Sequence, residues 1–105
     1  MNVKFICNYR EFKSNADYPS VKSSIGFKTE HKDKLLTYMK QFDEEVAITK
    51  ASEDYINGER QSNSVLCYTD RIYWWTNEQI YHFEKYDMKL NDDFISHVLA
   101  KTAQQ

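Results

Sequence analysis

Between Tyr68 and Tyr86 the chain reads Tyr-Thr-Asp-Arg-Ile-Tyr-Trp-Trp-Thr-Asn-Glu-Gln-Ile-Tyr-His-Phe-Glu-Lys-Tyr, so nineteen positions hold seven of the sixteen Phe, Trp and Tyr residues. Rings of that size carry a large apolar area that folding must cover. Their order fits a strand, a tight turn, a second strand and a helix. Asp70-Arg71 separates two β-forming runs, 64–69 and 72–75. Thr76-Asn77-Glu78-Gln79 then fits a capping box, with Trp75 and Ile80 spaced as a hydrophobic staple across it.

Period-two alternation puts Val65 and Cys67 on one face of the first strand and Leu66 and Tyr68 on the other. In the second strand Ile72 and Trp74 share one face, and Tyr73 and Trp75 share the opposite one. Neither face is polar. Helices are expected to cover one side, leaving the second exposed or available to a partner.

The remaining segments extend this pattern. Residues 2–7 have strand-forming composition, and Pro19, Val21, Ile25 and Gly26 allow either a short helix or a loop over 17–26. Thr29 is placed to cap a helix whose buried stripe is Leu35, Leu36, Met39 and Phe42, with Lys32, Lys34 and Lys40 on its wet side. Val46, Ile48 and Tyr55-Ile56 return to strand character, and Asn57-Gly58 predicts a hairpin tip with a type I′ turn. Asn91 is positioned to cap a last helix, with Asp92 and Asp93 at its positive end, Leu90 and Ile95 as staple, and Phe94, Ile95, Val98 and Leu99 as buried stripe. Residues 101–105 lack apolar anchors and are expected to fray. The expected fold is a single α+β domain over 1–105, an antiparallel three- to four-stranded meander packed against two to four helices.

A chain of 105 residues is long enough for one core. Its longest apolar runs fall far short of a membrane span, and its N-terminus carries Lys4 inside a short apolar patch with no small-residue cleavage site, so the expected location is cytoplasmic. Cys7 and Cys67, sixty positions apart, read as free thiols of the interior. The net charge of −2 divides unevenly: residues 51–105 hold five Lys/Arg against nine Asp/Glu. An acidic half disfavours nucleic acid, whose binding rests on clustered Lys and Arg, and suits a basic protein partner.

Tests for chemistry give little. The nearest pair of the three histidines, His82 and His97, is fifteen apart, without zinc-ligand spacing, so no metal is expected. Cys67 lies mid-strand among apolar neighbours, no Gly-x-Ser-x-Gly elbow is present, and two glycines cannot build a phosphate cradle. The carboxylate runs at 43–45, 53–54 and 92–93 read as loops and helix starts. No catalytic residue and no cofactor is assigned.

Tyr68-Thr-Asp-Arg-Ile-Tyr-Trp-Trp75, followed by Tyr81, Lys85-Tyr86 and Leu90-Asn-Asp-Asp-Phe-Ile95, resembles the C-terminal half of small bacterial immunity proteins of polymorphic-toxin systems. A weaker likeness extends to Leu35 and Tyr38-Met39. The chain departs from that family's pattern at Arg71, where it has Gly, and at Asn91, where it has Pro. The resemblance implies a protein that acts without catalysis, by binding and blocking a cognate toxin. Toxin-facing residues differ widely in that family, so none is carried over.

The leading expectation is therefore a non-catalytic protein-binding module, with Tyr73, Trp75 and Tyr81 as contact residues and Asp70 and Glu78 as rim charges. A second reading is a small-ligand binder or enzyme with a pocket between the sheet and the 77–86 helix, using His82 and nearby tyrosines. A third is a subunit that self-associates through the same strands, as a homodimer.

Overall fold

The structure, a computed structural model of the chain, describes residues 4–6, 9–13 and 17–103. In chain order it contains β1 (Lys4–Phe5), α1 (Arg10–Lys13), a 3-10 turn at Val21–Ser23, α2 (Lys32–Lys40), β2 (Val46–Ile48), β3 (Ser52–Glu53), β4 (Arg60–Ser62), β5 (Val65–Thr69), β6 (Tyr73–Thr76), α3 (Asn77–Tyr86) and α4 (Asp92–Ala103). Four strands form one sheet in the order β1-β6-β5-β2, while β3 and β4 form a separate two-stranded ribbon.

The β5–β6 hairpin pairs antiparallel as expected, with Tyr68 opposite Trp75 and Thr69 opposite Trp74. The rest of the meander is corrected. β1 runs parallel to β6, and β2 pairs antiparallel with β5 across the intervening ribbon, so the sheet is mixed. The physical reason is local closure: residues 52–62 satisfy their backbone as a hairpin of their own, which returns the chain so that β5 falls beside β2.

That hairpin forms where Asn57-Gly58 predicts one, but its turn is not type I′. Only Gly58, at φ +80°, takes positive φ, whereas type I′ requires it at both central residues. Asp54 organises the turn instead. Its Oδ1 accepts from the N–H groups of Ile56 and Asn57, both at 2.9 Å, and its carbonyl accepts from Gly58 N–H at 2.8 Å. At the β5–β6 turn, Arg71 stands at φ +81°, a region that glycine enters without cost and that a Cβ disfavours.

The helices lie on one face of the sheet. Tyr73 and Trp75 project from β6 into a core with Leu35, Tyr38 and Met39 of α2, Phe83 of α3, and Phe94 and Val98 of α4. Trp75 is wholly buried, and its indole N–H donates to Met39 O at 3.2 Å. Met39 lies in the last turn of α2, where carbonyls lack a partner within the helix, so one bond satisfies both groups.

Helix ends show how far local signals carry. The capping box at Thr76 forms, with Thr76 N–H donating to Gln79 Oε1 at 2.7 Å. α2 begins at Lys32, after the expected cap at Thr29, whose hydroxyl accepts from His31 N–H at 3.2 Å. Lys32 is corrected from the wet side: its Nζ donates to Glu84 O at 2.8 Å and to Asp87 Oδ1 at 2.9 Å, at the C-terminal end of α3. That is where a helix dipole favours a cation. Asn91 joins α4 to β1 through its backbone N–H to Ile6 O (3.0 Å) and its side-chain amide to Phe5 O (3.4 Å). α4 continues to Ala103, beyond the expected fraying point at 101. Cys67 is a free thiol; of the expected 2–7 strand, Lys4–Phe5 form β1, while residues 2, 3 and Cys7 lie outside the described residues.

Candidate functional site

The five expected contact residues do not form one surface. Tyr73 and Trp75 are 5% and 0% exposed, and this corrects their expected exposure: the capping geometry at Thr76 and the helices above β6 turn that face inward. Asp70 and Tyr73 meet at the β5–β6 turn, whereas Glu78 and Tyr81 lie on α3 beside the β3–β4 ribbon.

Asp70 is a structural hub. Its Oδ1 accepts from Ile72 N–H (2.9 Å) and Tyr73 N–H (2.7 Å); its Oδ2 accepts from the Tyr38 hydroxyl at 2.6 Å and meets His97 Nε2 at 2.8 Å. One carboxylate thereby fastens the turn to α2 and α4. Burial pushes it up, but these bonds outweigh burial and hold it below the ordinary carboxylate value. Burial, reinforced by Asp70, pushes the Tyr38 hydroxyl well up. The hairpin tip is held in the same way by Asp54, which is wholly buried. Its Oδ2 accepts from the hydroxyls of Tyr81 and Tyr86, each at 2.6 Å, and lies 3.7 Å from Lys85 Nζ. Burial again pushes the carboxyl up, and the two hydroxyls with the two turn amides bring it well below its ordinary value.

His82 has no freedom for chemistry. It is wholly buried, its Nε2 accepts from Tyr55 N–H at 2.9 Å, and its Nδ1 lies 2.7 Å from Glu78 O. A backbone N–H can only donate, so the tautomer is fixed with the proton on Nδ1. Both nitrogens are occupied by main chain, and the ring stacks on Tyr55 with centroids 5.5 Å apart.

The unexplained apolar face lies on the other side of the sheet. Val46 and Ile48 of β2 are 55% and 46% exposed, and β2 is the terminal strand of the sheet. Val46 pairs with Cys67, and a shallow groove of about 240 Å³ runs past Val46, Cys67, Thr69 and Trp74. Trp74 packs on Phe5 with centroids 4.2 Å apart, and Ile72 is exposed beside the turn. Burial pushes the Cys67 thiol up, which suppresses its reactivity. The approach to β2 is acidic: Asp43-Glu44-Glu45, all exposed, stand immediately before it.

The alternation of Ile72 with Tyr73 and of Trp74 with Trp75 identifies two apolar faces. It does not say which one the helices take. Val46 and Ile48 did carry a signal, since two β-branched residues two apart on a short strand present both side chains on one face. In comparisons with known proteins, no family model, no curated protein and no solved structure matches this chain.

Proposed function

We propose that this chain is a non-catalytic protein-binding module that docks a partner on the outer face and free edge of its sheet, and more narrowly that it is an immunity protein blocking a cognate toxin. The observation that carries the reading is β2, a terminal strand whose Val46 and Ile48 stand half exposed beside an apolar groove. An open edge offers unpaired main-chain donors and acceptors to an extended segment of another protein, and the side chains beside it select the occupant. The acidic run at 43–45 selects a basic partner by attraction and steers its approach. Covering Val46 and Ile48 contributes roughly 1–3 kcal/mol. The C-terminal likeness to immunity proteins supports the narrower reading.

The test is co-expression of the chain with the products of the genes flanking its own, comparing wild type with Val46→Asp/Ile48→Asp. The expected result is that one product arrests growth, that the wild-type chain relieves the arrest and co-purifies with it, and that the double variant does neither. Undiminished binding by the variant would refute the docking face. Absence of any toxic or bound flanking product would refute the immunity reading. A wild-type dimer in sedimentation that the variant abolishes would assign the face to self-association instead.

A further inference from the structure

Of the seven asparagines in the chain, only Asn57 is followed by glycine. An asparagine side-chain amide can be attacked by the main-chain nitrogen of the next residue, which closes a small ring, and a Cβ on that next residue hinders the closure. The other six asparagines face such a Cβ. Asn57 and Gly58 are both exposed at the tip of the β3–β4 ribbon, and a methyl group at Gly58 would meet nothing within 4 Å. Water and base therefore reach the pair unhindered.

Two hydrogen bonds set its reactivity. Gly58 N–H donates to Asp54 O at 2.8 Å, which holds the proton that must leave before the nitrogen can attack. Asn57 Oδ1 accepts from Glu59 N–H at 2.8 Å, and a donor there stabilises the negative charge that attack places on the same oxygen. The electrophile is prepared and the nucleophile is covered. The cover is thin, since one neutral bond at an exposed tip slows the reaction only about two- to tenfold. Its strength depends on Asp54, whose carboxylate is held in place by the Tyr81 and Tyr86 hydroxyls.

We infer that Asn57 is a site of self-modification, converted through a cyclic imide to aspartate or isoaspartate when the Gly58 N–H leaves the Asp54 carbonyl. Hydroxide takes the Gly58 amide proton, the nitrogen bonds to Asn57 Cγ, and Nδ2 departs as ammonia once water has protonated it. Water then opens the ring at either carbonyl. Breaking the bond between Gly58 N and Cγ leaves aspartate; breaking the bond between Gly58 N and the main-chain carbonyl carbon leaves isoaspartate, whose main chain is one carbon longer. Nothing is oxidised or reduced. Either product adds a carboxylate beside Asp54 and Glu59, and isoaspartate also displaces Gly58 N–H from the Asp54 carbonyl. The converted ribbon is less firmly closed. The inference does not depend on the docking face of β2.

The experiment incubates the whole chain at mildly alkaline pH, folded and unfolded in guanidinium chloride, and follows peptide masses, which rise where an amide becomes a carboxyl. Enzymatic methylation of isoaspartate counts that product. The expected result is that the folded chain converts at Asn57 before any other asparagine, in proportion to hydroxide and with matching release of ammonia. Unfolding should speed the reaction at least about twofold, the weight of the broken bond. Tyr86→Phe, which removes a hydroxyl that donates to Asp54 at 2.6 Å, should speed it in the folded chain. Asn57→Gln, which would have to close a larger ring, should release no ammonia from this position.

Asn57 intact in the folded chain while the unfolded chain converts, earlier conversion at Asn63 or another asparagine, equal folded and unfolded rates, or a Tyr86→Phe rate no faster than wild type would overturn the inference. Ion exchange separates converted from unconverted chains by their charge. Faster amide exchange in the converted chain at Asp54, whose N–H donates to Glu59 O at 2.8 Å, supports the loosened ribbon, and equal exchange would overturn it.

Discussion

Replacing Asp54 by Asn isolates the charge of the hub that holds the β3–β4 ribbon against α3. The amide oxygen can keep the turn, accepting from Ile56 and Asn57 as Oδ1 does now. The change falls on Oδ2, where two tyrosine hydroxyls donate at 2.6 Å. Each bond to a charged acceptor contributes about 1.5–3 kcal/mol and a neutral one about 0.5–1.5, so the substitution should cost roughly 2–3 kcal/mol in all. Urea unfolding at neutral pH measures that gap, and a domain of this kind has only about 5–15 kcal/mol to lose.

The pH dependence of the gap tests the reasoning further. The folded-state carboxyl lies below its ordinary value of 3.8. Its contribution is therefore fully present above that value, where both states are ionised. It falls below it, because the unfolded chain takes up the proton first. Between pH 6 and pH 3 the difference between wild type and Asp54→Asn should narrow by about 1 kcal/mol, an upper figure because water at the nearby Lys85 screens part of it. A gap that stays constant or widens on acidification would refute the charged hub.

Arg71→Gly should stabilise the protein by about 0.5–1 kcal/mol in the same assay, the relief of a side chain at φ +81° less the added freedom of the unfolded chain; destabilisation would mean that the exposed Arg71–Glu45 contact at 3.5 Å matters more than backbone strain. Trp75→Phe should cost about 2–3 kcal/mol, combining lost volume with an unsatisfied Met39 carbonyl. A cost under about 0.5 kcal/mol would contradict the placement of Trp75 at the centre of the core.

Local chemistry was readable wherever a few neighbouring residues decide it. The capping box from Thr76 to Gln79 needs only a short polar stretch, and it formed. Helical spacing placed Leu35 and Met39 of α2 in the core, but Leu36 and Phe42 are only partly buried, Phe42 lies past the end of the helix, and the stripe omitted Tyr38, whose ring is buried and whose hydroxyl reaches Asp70 thirty-two positions away. The two carboxylate hubs were missed because half of the hydrogen-bond partners of each are remote: Asp54 meets Tyr81 and Tyr86, and Asp70 meets Tyr38 and His97. Asp54 three places before Asn57 did carry a signal, since Asp readily accepts from the amides that follow it in a turn.

The sequence by itself determined that this chain folds around an aromatic hairpin leading into a capped helix, and that both faces of that hairpin are apolar. Ring content, period-two alternation and capping spacing are short-range properties, and they survive whatever the rest of the chain does. Only the tertiary structure decided that Tyr73 and Trp75 face the helices, that β1 joins the sheet in parallel, and that the free apolar surface lies on β2. Those outcomes depend on which distant segments win the contest to cover one of two equally apolar faces, and that contest is settled by packing across the whole chain.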